Sequence, residues 1–215
     1  MLEIWGRRSS ANVQKVLWLV GELDLPHAHV PAGGDFGRLD EPEFRALNPH
    51  GKVPVIRDGP VVVWESHAIL RYLAATDGTG RFWPSEPAAR AMVDGWMDWA
   101  QTALQPAFLG GVFWGFYRTP PAQRDEAAIA AALDLTHRLL DLVEAQLAGR
   151  PFVTGETLSL ADIAIGTHLY RYFELEIDRP PMPRLEAWHE RLRTRPAYRE
   201  HVMVPFGELK GRLAF

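Results

Sequence analysis

A proline inside an otherwise strand-like run most limits the folds open to this chain. The run is Val53-Pro-Val-Ile56, where the apolar pattern indicates a strand. Proline removes a donor from a sheet ladder, so it is out of place in a central strand. Two interpretations remain open: a cis Val53–Pro54 bond that leaves the Val53 N–H and C=O free at the sheet edge, or an ordinary trans proline in an edge strand.

The residues around this run predict a compact ligand-binding segment. A polar turn, Asn48-Pro-His-Gly-Lys52, comes before it. A second strand, Val61–Trp64, follows the turn signal Asp58-Gly-Pro60. Glu65 and Ser66 then begin an amphipathic helix. Free backbone groups beside a polar helix start are suited to binding a peptide-like ligand.

The order of elements up to residue 77 predicts one mixed sheet with helices packed on it. Leu2–Trp5 alternates like a short strand, and Asn12 is a suitable cap for an amphipathic helix that begins at Val13. A strand at His27–Pro31 and a short helix at Glu41–Leu47 come next. The two strands described above complete the predicted sheet.

From residue 86 onward the pattern changes to helices alone. Residues 86–115 are rich in Trp, Met and Phe, and a long amphipathic helix is predicted over 129–147. The sequence therefore predicts a linker at residues 77–84. We expect two domains, residues 1–77 and 85–215.

A capping box is predicted at the start of a later helix, at residues 159–163. The sequence there is Ser-Leu-Ala-Asp-Ile. Ser159 can cap the helix while Asp162 reaches back to free backbone N–H groups. Asp162 as a catalytic acid is the alternative, and we favour the structural cap.

The composition excludes several classes of function. The net charge of −4, without a dense basic cluster, argues against general nucleic-acid binding. The chain has no cysteine, which excludes disulfides, zinc–thiolate sites and cysteine nucleophiles. His27 and His29 lack further ligands nearby, so no metal site is expected. No secretory signal or membrane-length apolar run is visible, and we expect a cytoplasmic protein.

Four motifs in this order resemble the glutathione S-transferase superfamily. They are the opening strand, turn and helix, the N-P-x-G-K-V-P-V segment at 48–55, the E-S-x-A-I-x-x-Y-L helix at 65–73, and S-L-A-D-I at 159–163. The resemblance implies a thioredoxin-like α/β N-terminal domain and an all-helical C-terminal domain. It also implies a homodimer, for which the aromatic-rich residues 86–115 are candidates, and glutathione as co-substrate rather than cofactor.

The chemistry of this family is activation of the glutathione thiol. A thiol with a pKa near 8.5 is only a few per cent ionised at pH 7, and lowering that pKa by about two units requires roughly 2.7 kcal/mol. Hydroxyl donors at a helix start can supply such an effect. Alignment with the serine-type delta, theta and nu classes puts Ser10 on the catalytic hydroxyl and Asn12 on a second donor. Ser9 is the alternative donor, and the structural alternative is that all three residues only cap the helix.

The resemblance also assigns the residues that bind glutathione. Val53, followed by Pro54, pairs through its backbone with the cysteinyl part. Glu65 accepts from the α-amino group, and Ser66 suits the α-carboxylate at a helix start. Lys52 meets the glycine carboxylate, with His50 as a weaker candidate. Delta-like proteins often have Arg after the Glu-Ser pair. This chain has His67 at that position, which makes the positive charge beside Glu65 and Ser66 weaker and pH-dependent.

The expected electrophile pocket lies in the aromatic stretch of the helical domain. Phe113, Trp114 and Tyr117 are the candidates, although aromatic residues at helical spacing are more often core. Arg118 either contacts an anionic substrate or ends the helix. The predicted function is conjugation of the glutathione thiolate to small hydrophobic electrophiles. Two alternatives are a nu-type glutathione-dependent disulfide reductase or peroxidase, and a non-catalytic glutathione-binding protein.

Overall fold

Alternating residues at the start of the chain form an inner strand of a mixed sheet. The computed structural model describes residues 1–77 and 79–213. These residues fall into two compact units: unit 1 comprises Met1–Gly80 and Pro196–Val204, and unit 2 comprises Arg81–Arg195 and Pro205–Leu213. Gly78 of the expected linker and residues 214–215 of the expected second domain lie outside the described residues.

Unit 1 contains a four-stranded sheet with the order β2-β1-β3-β4. The β1 and β2 strands are parallel, and the other two pairs are antiparallel. The strands are β1 (Leu2–Trp5), β2 (His27–Val30), β3 (Val55–Asp58) and β4 (Val61–Trp64). The helices are α1 (Ala11–Glu22), α2 (Pro42–Leu47), α3 (Ser66–Asp77) and α9 (Pro196–His201), with a 3-10 turn at Gly34–Phe36.

Two predicted starts in unit 1 were wrong by two residues each. The third strand begins at Val55 rather than Val53, and Val55 pairs with Trp5 of β1. Pro54 has no N–H, so pairing starts only after it. The first helix begins at Ala11, and Ser10 rather than Asn12 occupies the N-cap position in extended conformation.

Unit 2 is helical throughout its named elements apart from one isolated bridge. After α4 (Pro87–Trp99), Ala100–Leu104 and Pro106–Arg118 have the wider π-helical turn; Thr119 N donates to Trp114 O at 2.9 Å. The remaining helices are α5 (Glu126–Gln146), α6 (Leu160–Gly166), α7 (Leu169–Glu174) and α8 (Pro183–Arg193), with 3-10 turns at Pro121–Gln123 and Gly207–Leu209.

Glycines in the aromatic-rich segment let it pack closely against α5. A Cβ added at Gly111 would lie 2.5 Å from the Cβ of Ala132, and one at Gly115 would lie 2.9 Å from Ile129 Cγ1. Any larger residue would push the two helices apart. Gly111 and Gly115 therefore lie on the face of this segment that packs against α5.

Asp162 sits in the predicted capping box and is fully buried. Its carboxylate accepts from the backbone N–H of Ser159 at 2.9 Å, from the Ser159 hydroxyl at 2.8 Å and from the Val153 N–H at 2.8 Å. These partners are all local backbone or cap groups. The geometry supports the structural interpretation of Asp162 over the catalytic one.

Candidate functional site

The turn between β1 and α1 lies against Val13 of α1 and against Val53, which precedes the inner strand β3. Gly6 lies in it with φ 151°, and an added Cβ would lie 2.4 Å from Val13 Cγ2 and 3.2 Å from Val53 Cβ. Only glycine permits this approach. The candidate ligand-pairing residue Val53 is therefore next to the turn that leads into Ser9 and Ser10.

The two candidate serines differ in exposure and position. Ser9 is buried at 7% exposure, whereas Ser10 is half-buried at the N-cap of α1. The Ser10 hydroxyl does not cap the helix, although its carbonyl accepts from Gln14 N at 2.9 Å. A half-buried hydroxyl at a helix start that is not used for capping fits an external acceptor better than Ser9 does.

The loop before Pro54 is organised by a residue that the sequence analysis did not single out. Asn48 is 3% exposed; its Nδ2 donates to Lys52 O at 2.8 Å and its Oδ1 accepts from His50 N at 3.0 Å. Lys52 itself is exposed. The Val53–Pro54 peptide bond is cis, the first of the two interpretations given above.

Glu65 and Ser66 form the start of α3. Glu65 is exposed and has φ 72°, a left-handed conformation that is unfavourable for a residue with a side chain. Such conformations gather at ligand-binding positions. Ser66 is buried, and its hydroxyl lies 3.5 Å from Asn12 Oδ1. The His50 ring lies 5.1 Å from the ring of Trp64, which directly precedes Glu65.

A polar cluster, defined as Asn12, Lys15, Ser66 and His67, joins the start of α1 to the start of α3. Lys15 is fully buried; its Nζ donates to Asn12 Oδ1 at 3.1 Å and lies 3.3 Å from His67 Nε2. Burial lowers the pKa of Lys15 to about 7, and the Glu65 carboxylate opposes that shift. Burial and the nearby charges of Lys15 and Arg71 lower the pKa of His67 to about 2.

The sequence analysis missed Lys15 because it falls on the apolar face of α1. Its neighbours Val16, Leu19 and Val20 are core residues. A lone charge among apolar positions is the one signal that could have marked it, since buried lysines are rare unless they have partners. His67 was noted only as a departure that makes the charge beside Glu65 and Ser66 weaker and pH-dependent, whereas it is 3% exposed and burial lowers its pKa to about 2, so its ring stays neutral.

The three electrophile-pocket candidates belong to unit 2 and differ from one another. Phe113 is 1% exposed, Tyr117 is half-buried, and Trp114 is 38% exposed. Phe113 stacks on Tyr117 at 5.2 Å, and Phe206 meets both rings edge-on. The guanidinium of Arg171 lies 4.7 Å from the Phe113 ring centre. We call Phe113, Tyr117, Arg171 and Phe206 the aromatic cluster.

Arg118 is buried at the end of this segment. Its Nε donates to Arg212 O at 2.8 Å, and its guanidinium lies 3.7 Å from the Trp114 ring centre. These contacts favour a role in closing the helix end over substrate contact. Within residues 1–77 and 79–213, no group of three or more His, Cys, Asp or Glu side chains is arranged to hold a metal ion. None of the described helices has the length and apolar character needed to cross a membrane.

Most of the chain matches two protein-family models. Residues 9–76 match the model described as glutathione S-transferase, N-terminal domain, and residues 100–196 match glutathione S-transferase, C-terminal domain. Together with the structural similarity below, these matches confirm the predicted fold class, a thioredoxin-like domain followed by an all-helical one.

Individual relatives agree with these matches. Glutathione S-transferase GstB of Escherichia coli K12 is 42% identical over 207 residues, 95% of this chain and 99% of that protein. The disulfide-bond oxidoreductase YfcG of the same strain is 32% identical over 193 residues, 86% of this chain and 87% of that protein. The crystal structure of the theta class glutathione S-transferase from Xanthomonas axonopodis pv. citri with glutathione bound matches with a TM-score of 0.90 and 46% identity, over 95% of this chain and 98% of that one.

Proposed function

The chain belongs to the glutathione S-transferase family, and we propose that it conjugates the thiolate of glutathione to small hydrophobic electrophiles. The family membership confirms the resemblance drawn from the sequence, and the protein is an enzyme of this transferase class. Glutathione is a co-substrate. In the reaction the thiol loses its proton and the thiolate sulfur forms a C–S bond with the electrophilic carbon. In a substitution the bond from that carbon to its leaving group, such as a halide, breaks, and in an addition the displaced π electron pair takes up a proton.

The observation that most supports this function is the meeting of two helix starts, at Ser10 and Ser66, beside Val53. The Ser66 hydroxyl lies 3.5 Å from Asn12 Oδ1, and Val53 contacts the turn at Gly6. Helix starts present free N–H groups that favour anions. We assign Ser10 as the hydroxyl donor to the sulfur and Asn12 as the second donor.

We assign the rest of glutathione to the residues around these helix starts. The Val53 backbone before Pro54 pairs with the cysteinyl part. Glu65, exposed at the start of α3, accepts from the α-amino group, and Ser66 binds the α-carboxylate. The exposed Lys52 meets the glycine carboxylate, with His50 as the secondary candidate.

We further propose that residues 1–77 are the glutathione-binding domain and that residues 85–215 supply the electrophile pocket. Of the pocket candidates, Trp114 and Tyr117 retain accessible surface, so they are better placed to meet a substrate than the buried Phe113. Aromatic faces of this kind favour flat, apolar electrophiles.

The protein is proposed to be a cytoplasmic homodimer, as the family resemblance implies. Unit 2 offers an apolar groove of about 550 Å³ between α4 and α5, lined among others by Trp96 and by Met92 and Leu142, which are 58% and 51% exposed. A second copy would cover these side chains. Light scattering should give twice the chain mass, and Met92→Lys should lower the measured mass toward that of the monomer.

Disulfide reduction with glutathione is the second candidate function. It is favoured by the similarity to the disulfide-bond oxidoreductase of E. coli and by the pairing of a hydroxyl residue with Asn12 at the start of α1. Turnover of a small disulfide that exceeds turnover of a halogenated aromatic would support it over conjugation.

The test is ultraviolet difference absorbance of the protein titrated with glutathione, from about pH 5 to pH 9, which brackets the free thiol pKa. A thiolate band well below that pKa supports conjugation or reduction. Tight binding without the band would point to a non-catalytic glutathione-binding protein. Absence of binding would overturn the proposal.

A further inference from the structure

Lys15 is a buried charge that the chemistry assigned above does not use. It lies on α1 one turn after Asn12 and is fully buried. An ammonium group taken out of water costs several kcal/mol unless hydrogen bonds and charges compensate for it. Its position beside Asn12 and His67, rather than elsewhere in the core, therefore calls for a physical reason.

The contacts of Lys15 determine which way the Asn12 amide faces. In its ammonium form Lys15 has donors and no acceptor, so the Asn12 atom 3.1 Å from Lys15 Nζ is then the amide oxygen. The Ser66 hydroxyl approaches the same oxygen at 3.5 Å. Because its oxygen is turned toward Lys15 and Ser66, the half-buried Asn12 side chain directs its N–H groups away from these two residues.

His67 completes this arrangement as an acceptor. Burial lowers its pKa to about 2, so the ring is neutral at working pH. Beside the ammonium form of Lys15, Nε2, 3.3 Å from Lys15 Nζ, accepts the hydrogen bond, so we assign the ring proton to Nδ1. An arginine at this position would add a buried charge beside Lys15, whereas a neutral histidine accepts a hydrogen bond from it.

The charge of Lys15 responds to an anion nearby. Burial lowers its pKa to about 7, with Glu65 acting in the opposite direction, so the ligand-free protein is divided between ammonium and amine near neutral pH. A thiolate held by Asn12 would favour the ammonium form, and by linkage the ammonium would favour the thiolate to the same extent. His67 is neutral here, and Arg71 is the other cation near this corner.

We propose that Lys15 is a positioning residue for thiolate formation: its ammonium group orients the Asn12 N–H groups toward the glutathione sulfur, and its charge favours the sulfur anion. This inference rests on the proposed function, because it needs glutathione bound at Ser10 and Asn12. Lys15 itself touches no reacting atom.

The first test compares Lys15→Met, Lys15→Arg and the exposed control Lys210→Met. Lys15→Met should raise the pKa of bound glutathione by about one unit. It should also lower kcat/KM about tenfold at pH 6.5, with recovery toward wild type near pH 9, where the thiolate forms unaided. Lys15→Arg should restore most of the loss, and Lys210→Met should match wild type.

The second test needs no substitution and keeps the proposal falsifiable if Lys15→Met does not fold. The chain has only three lysines, Lys15, Lys52 and Lys210, so side-chain ¹⁵N resonances of labelled lysine can be followed singly. Glutathione should raise the pKa of Lys15, whereas S-methylglutathione, which cannot form a thiolate, should raise it little.

The outcomes separate this inference from the proposed function. If the wild-type protein binds glutathione and forms the thiolate, while Lys15→Met leaves the thiol pKa unchanged or the two ligands shift Lys15 equally, the role of Lys15 is overturned alone. If the wild-type protein forms no thiolate, the proposed function fails first. A uniform loss of activity at every pH in folded Lys15→Met would show a merely structural lysine.

Discussion

The polar cluster of unit 1 and the aromatic cluster of unit 2 each contain a buried cation, and the groups that surround the two cations differ. In the polar cluster, Lys15 is held by an amide oxygen and a ring nitrogen at hydrogen-bond distance. In the aromatic cluster, Arg171 lies against the faces of Phe113 and Phe206. Hydrogen bonds fix the direction of the group that makes them, whereas a ring face attracts a cation over a range of positions.

This difference matches the two tasks of a transferase. One glutathione molecule always has the same charged ends, so directional groups at fixed spacing suit it. Electrophiles vary, and the proposed pocket residues Trp114 and Tyr117 present accessible ring faces, which suit varied flat shapes without a fixed hydrogen-bond pattern. The comparison predicts that substitutions in the first cluster change chemistry and binding, while those in the second change packing first.

Phe113→Ala should give the largest effect, and it should lower the stability of the protein rather than its affinity for glutathione. The ring is 1% exposed and packs on Tyr117 and Phe206, so its removal leaves a cavity and should cost about 3–5 kcal/mol in the free energy of unfolding. Urea unfolding measures this, with Trp114→Ala, exposed at 38%, as the control expected to change by less than about 1 kcal/mol. A stable Phe113→Ala with a changed electrophile KM would place Phe113 in the pocket instead.

Ser10→Ala should give the next largest effect, on turnover. Loss of one donor to a developing anion should lower kcat/KM about 10²-fold, while the glutathione Kd stays nearly constant, because the hydroxyl favours the anion over the thiol. Steady-state kinetics and calorimetry separate the two quantities. If Ser9→Ala is the damaging change and Ser10→Ala is silent, the assignment is off by one residue.

Acid should weaken folding through buried histidines in both units. Burial lowers the pKa of His189 to about 4, and the His189 ring stacks on Phe173 at 4.5 Å. The unfolded chain takes up a proton near pH 6.5 and the folded chain only near pH 4, so stability is complete above about 6.5 and falls as the pH drops, by about 1.4 kcal/mol per unit. His189→Leu should remove that slope between pH 6.5 and 4 in denaturant titrations, leaving the similar contribution of His67. An unchanged slope would show that His189 is protonated in the folded state.

Two substitutions of Glu65 should separate its effect on glutathione binding from its effect on protein stability. Glu65→Ala and Glu65→Gly both remove the carboxylate and should weaken glutathione binding equally, by about tenfold or more. Only glycine relieves the left-handed backbone at φ 72°, so Glu65→Gly should be more stable than Glu65→Ala by about 1 kcal/mol. Calorimetry and thermal unfolding measure these changes. Undiminished affinity in both variants would remove Glu65 from the site.

Much of the fold could be predicted because its signals are local. The strand at Val61–Trp64, the capping box at Ser159 and Asp162, and the change to helices near residue 86 each depend on neighbouring residues. The errors were also local: Pro54 delays the third strand by two residues, and the choice of Asn12 rather than Ser10 as the cap moved the predicted start of the first helix from Ala11 to Val13.

The sequence by itself determined the order of elements and the cis-compatible Val53–Pro54 segment, because short-range patterns and turn residues specify these. Its resemblance to the family pointed to Ser10 and Asn12 as candidate donors. Only the tertiary structure decided that Lys15 meets His67, 52 positions away, and that Phe113 is core rather than surface. Long-range pairing depends on how helices pack, and one helical face looks the same in sequence whether it meets solvent, a core or a buried polar partner.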